Sequence, residues 1–182
     1  MAGHSTAAVA HAGRNPFLRF VAAISTVAGW CSATMIVFAV VITCQMIFVR
    51  LVLNASTVWQ TETVIYLAIA ATLVGLPYVQ RLRGHVNVDL FPLWLAPRAR
   101  FVLACITLSV SILVMAMMFY YGFEFWHIAW SKGWTSDTVW GVRLWIPYLS
   151  LPVGFGLLLL QLTADLFAVL TGIDKPFGLE DN

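Results

Sequence analysis

Two ionisable residues stand at the edges of otherwise uncharged, apolar stretches: Arg50 and Glu62. A charge held in lipid costs about 2.5–3.5 kcal/mol at mid-membrane on insertion scales, and less near the interface. The pair therefore reads as a polar anchor, each residue bonding the other or a partner subunit. The plainer reading is that both snorkel into headgroups. His85 and Asp89 are spaced to share a helix face, but a metal would need further ligands and none is near. His127 falls across the membrane from His85, so the two do not bracket a haem, and His4 and His11 belong to a polar tail. Cys31, Cys44 and Cys105 lie inside apolar stretches without a C-x-x-C pair and read as small apolar side chains. A conducting path needs intramembrane polar groups at mid-depth. Here there are only Gln45, towards one end, and scattered Ser and Thr. No catalytic, cofactor, metal or substrate site is expected, nor a proton or ion path through this chain alone.

The elements that carry these residues follow from composition. The 182 residues are 61% hydrophobic and 10% charged, with a mean hydropathy of +0.88. A water-soluble domain has roughly 25% charged residues, so the solvent here is lipid. A net charge of +2 gives no reason to expect nucleic acid. Four runs lack any Asp, Glu, Lys or Arg: Phe20–Val49, Thr63–Gln80, Phe101–Phe123 and Leu144–Ala164. About 20 helical residues cross a ~30 Å hydrocarbon core. The expected fold is an all-α membrane protein of four transmembrane helices, at about 20–50, 58–80, 100–126 and 142–168. A polar tail (1–18) precedes this membrane domain (19–171) and another (172–182) follows it. The first run is too long for a straight crossing and is expected to tilt; it also exceeds a signal-peptide core, so a retained helix is expected. Arg14, Arg19, Arg81, Arg83, Arg98, Arg100 and Lys175 fall on one side, against Arg50, Lys132 and Arg143 on the other. The positive-inside rule then places both termini in the cytoplasm.

Local chemistry sharpens the ends. Thr57 with Gln60 reads as a capping box opening the second helix, with Glu62 in its first turn. Trp59, Trp126, Trp130, Trp134, Trp140 and Trp145 gather at the outer ends as an aromatic belt. The segment Asp89–Pro97 is expected to lie along the cytoplasmic interface. Gly29 with Ala33, and Ala71 with Gly75, have the small-x-x-x-small spacing that lets helices approach in lipid. Pro147, Pro152, Gly154 and Gly156 predict a kink in the fourth helix.

In order along the chain come Arg50-Leu-Val-Leu-Asn54, Trp59-x-x-Glu62, Gly75, Arg83-Gly84-His85-Val-Asn-Val-Asp89, Trp145-Ile-Pro147-Tyr148 and Leu151-Pro152-Val-Gly154-Phe155. Over roughly residues 20–165 this resembles the small membrane subunit of tripartite ATP-independent periplasmic (TRAP) transporters. Where that family often has two adjacent acids after the Trp, Thr61 takes the first place and Glu62 alone carries over. The resemblance implies residence in a bacterial inner membrane, with lipid around the chain. It implies a large membrane subunit that moves solute and sodium, and a periplasmic solute-binding protein that delivers an organic acid. The small subunit would brace the large one. Arg50, Trp59, Glu62, Gly75, Arg83, Gly84, His85, Asp89, Pro147, Pro152 and Gly154 would then serve the subunit interface or the fold, and the Trp-rich 124–143 connection would help dock the binding protein. A self-contained exporter would need a membrane-embedded acid, and an oxidoreductase paired Cys or facing His residues; the sequence offers neither.

Overall fold

A computed structural model describes residues 15–82 and 97–173. Within them lie helices α1 (Pro16–Val52), α2 (Val58–Arg81), α3 (Pro97–Ser131), the single turn α4 (Trp145–Tyr148) and α5 (Ser150–Leu170). Taking α4 and α5 together, four spans are long and apolar enough to cross a membrane. The interface segment expected at 89–97, and with it Arg83, Gly84, His85 and Asp89, lies outside the described residues apart from Pro97, the first residue of α3.

α1 turns one narrow stripe inward. Leu18, Val21, Ser25, Ala28, Ser32 and Ala39 are buried, and Met35, Ile42, Met46 and Val49 are partly buried. The intervals alternate three and four, the 3.5-residue period of a left-handed helix pair. Four of its six buried positions, Ser25, Ala28, Ser32 and Ala39, are small, because lipid gives no hydrophobic drive to helix pairing and close backbone approach must supply the attraction. Gly29 fits the expected pairing: a Cβ there would lie 2.5 Å from the Tyr78 ring. Its expected companion, Ala33, faces outward. Ser32 takes that role, donating to the Ala71 carbonyl at 2.6 Å and packing on Gly75.

α5 is the central helix, touching α2, α3 and, towards its C-terminal end, the first turns of α1. α3 packs on α4 and α5 and makes little contact with α1 or α2. The lateral order is thus α1, α2, α5, α3, a row more than a square. The closest approach has a chemical cause. Pro77, buried inside α2, has no N–H for the Leu73 carbonyl. Gly154 of α5 sits against that freed carbonyl: a Cβ at 154 would lie 2.8 Å from the Leu73 carbonyl oxygen. α5 starts afresh after a one-residue break at Leu149, between Pro147 and Pro152, so the expected kink is a short interruption near the helix start.

Two expectations are corrected at the helix ends. α3 is 35 residues long, about 52 Å at 1.5 Å per residue, so the long-helix description applies to it as well as to the 37-residue α1. Residues 124–131 are helix, and the connection begins at Lys132. A charge such as Glu124 does not stop a helix. Gly133 does: at φ +60° it lets the Trp134 amide donate to the Ala129 carbonyl at 3.1 Å and its own amide to Trp130 at 3.2 Å, a Schellman closure. Gly172 closes α5 in the same way.

Candidate functional site

Polar groups collect at the two ends of the bundle. At the end where α1 turns into α2, Asn54 takes a left-handed conformation (φ 50°) and Thr57 is the N-cap residue of α2 without a side-chain cap bond. The expected capping box is absent because the Thr57 hydroxyl is turned back to accept from Arg50 Nη2 at 2.8 Å. Glu62 lies beyond the first turn of α2, which holds no acid. It is 9% exposed, and its Oε1 accepts from Ser136 in the α3–α4 connection at 2.8 Å. Arg50 and Glu62 are therefore not paired with each other, although both line one cleft of about 360 Å³ together with Ser56, Thr57, Thr61 and Thr138.

Three buried polar atoms have no partner among the described residues: Gln60 Oε1, Glu62 Oε2 and Trp126 Nε1. All three are at this end. Buried polar atoms are nearly always satisfied, so this is where the chain is chemically incomplete. Aromatic contacts surround it. Trp59 meets Trp140 edge-on at 6.5 Å, Trp130 meets Trp145 at 4.8 Å, and Phe125 touches Trp134 and Tyr148 at 5.8 and 4.9 Å. The connection is held over them by Ser136 donating to Val142 at 2.8 Å and Leu144 to Trp134 at 2.9 Å.

At the opposite end, Ser25 of α1 donates to Gln161 Oε1 at 2.6 Å, Gln161 Nε2 donates to Asp165 at 2.7 Å, and Gln80 of α2 donates to the other Asp165 oxygen at 3.0 Å. Arg81 reaches across to α1, donating to the Ala22 carbonyl at 3.0 Å and to Thr26. Three helices are thereby pinned through one carboxylate. Phe17 of α1 and Phe167 of α5 also meet here, 6.1 Å apart, so both described ends of the chain lie together.

Of the residues singled out from sequence, Arg50, Trp59 and Glu62 come together at the α1–α2 turn. Gly75, Pro147, Pro152 and Gly154 are packing and helix-end residues along α2, α4 and α5. Sequence reasoning missed Ser25, Gln80, Gln161, Asp165, Ser136 and Pro77. Ser25 had a readable signal, since it sits on the three-four stripe of α1; Ser136 had none, because only the folded connection brings it to Glu62. Among the described residues no group of three His, Cys, Asp or Glu could hold a metal.

A family model described as "Tripartite ATP-independent periplasmic transporters, DctQ component" matches residues 39–172. Comparison with curated proteins finds no match.

Proposed function

Because the chain belongs to the DctQ-component family of TRAP transporters and is a small membrane subunit of that type, we propose that it braces the large transport subunit. The process served is sodium-driven uptake of an organic acid brought by a periplasmic binding protein. The observation that carries the bracing role is the one-sided burial of α1. Its single inward stripe leaves Phe20, Trp30, Val37, Phe38, Val41 and Phe48 exposed along a helix of about 55 Å, longer than a ~30 Å core requires. A helix that leans on a larger neighbour uses that length. Among the described residues the polar networks sit towards the ends of the bundle, where they fasten helices to one another.

The proposed setting is a bacterial inner membrane, with the Arg81 end cytoplasmic and the 132–144 connection outward. In that orientation Val139, 99% exposed, and Trp140 form a tip available to the binding protein. The deciding experiment is purification of the tagged chain from native membranes in mild detergent, with a cysteine placed at Val37 for cross-linking. A stoichiometric large polytopic partner, cross-linked through position 37, is expected. A chain that purifies alone or as a homo-oligomer, or that moves solute by itself in vesicles, would overturn the reading in favour of a self-contained transporter.

A further inference from the structure

We propose that the cleft between the α1–α2 turn and the α3–α4 connection is a binding site for the headgroup of a phospholipid carrying both a phosphate and a primary ammonium, phosphatidylethanolamine. The cleft offers both charges, separated. Arg50, exposed at the end of α1, supplies a guanidinium. Beside it the N-terminus of α2 lacks a side-chain cap, and Ala55, Ser56, Thr57 and Val58 at that terminus line the cleft. Uncapped helix N–H groups carry partial positive charge and suit a phosphate. Glu62 lines the same cleft, more than nine-tenths buried, with Oε2 unpartnered.

A carboxylate so placed calls for a donor with charge, and a primary ammonium brings three N–H groups. A lone basic side chain would satisfy Glu62 and leave Arg50 and the helix terminus unused. A free anion would do the reverse. A zwitterion with its two charges a short linker apart answers both. Position selects lipid: the cleft opens at a bundle end beside Leu51, Val52, Leu53 and Trp59, all exposed, which offer an apolar flank to acyl chains. A choline headgroup has no N–H for Glu62 Oε2, so the site should separate the two commonest zwitterionic headgroups. This inference rests on the membrane location and the cleft, and stands apart from the transport role.

The test uses the full chain, delipidated in mild detergent and offered phosphatidylethanolamine or phosphatidylcholine with the same acyl chains, with retained lipid counted by native mass spectrometry. The expected result is about tenfold preferential retention of phosphatidylethanolamine, the scale of one charged hydrogen bond, with loss of that preference in Glu62→Gln and weaker retention of both lipids in Arg50→Gln. Arg50 is exposed, and a thermal melt verifies that both variants keep the fold. Equal retention of the two lipids, a preference that survives Glu62→Gln, or retention that Arg50→Gln leaves unchanged would overturn the proposal. The cleft would then be read as the seat of a basic side chain from a partner subunit.

Discussion

At Gly154 the missing side chain is the function. With the Leu73 carbonyl where a Cβ would point, Gly154→Ala must move backbone against backbone. A loss of about 1–3 kcal/mol is expected, as for overpacking in a tight core, measured as a lowered unfolding midpoint in detergent; an unchanged midpoint would mean that α2 and α5 are not in close approach. The Ser25–Gln161 bond gives a second residue-scale prediction. A double-mutant cycle with Ser25→Ala and Gln161→Leu should return a coupling of about 0.6–1.7 kcal/mol, the range for side-chain hydrogen bonds within membranes. A coupling near zero would show that the network does not hold the helices. Arg50 and Glu62 show how far sequence reaches at this scale. Their place at one end of the bundle was legible from their positions at the ends of apolar runs, but the bond expected between them is not made. Their separate partners, Thr57 and Ser136, depend on side-chain rotamers and on a connection that closes from across the bundle, neither of which leaves a periodic trace.

The helices as elements were legible because lipid imposes a simple rule: some twenty residues without charge must be helical, since no water is there to satisfy a bare backbone. Their ends were less legible, because the charges used to mark them are tolerated within helices. Lys132 caps no helix by being charged; the stop is the left-handed Gly133 beyond it. Gly133→Val forces a β-branched residue into that conformation at a cost of about 1–3 kcal/mol. The last turn of α3 should fray, separating Trp130 from Trp145, now 4.8 Å apart. Tryptophan emission should shift to the red, while Gly133→Asn, which tolerates the conformation, keeps the wild-type spectrum. Equal spectra for all three proteins would show that the glycine does not set the helix end. Pro77 was readable as a proline inside an apolar run, but its meaning came only with the glycine of another helix placed over the gap it makes.

For the whole molecule, the excess of Lys and Arg on one side predicts orientation. With a membrane-impermeant maleimide on spheroplasts, Asp137→Cys is expected to react at once and Leu82→Cys only after lysis, both positions being exposed; the reverse order would invert the topology. The lateral order α1, α2, α5, α3 has a mechanical consequence. Stiffness against bending grows with the depth of material in the direction of the bend. A wall of helices set side by side therefore resists shear within its own plane and yields across its thickness, as a leaf spring does. The chain can follow the curved flank of a larger body while keeping the two long edges of that wall a fixed distance apart.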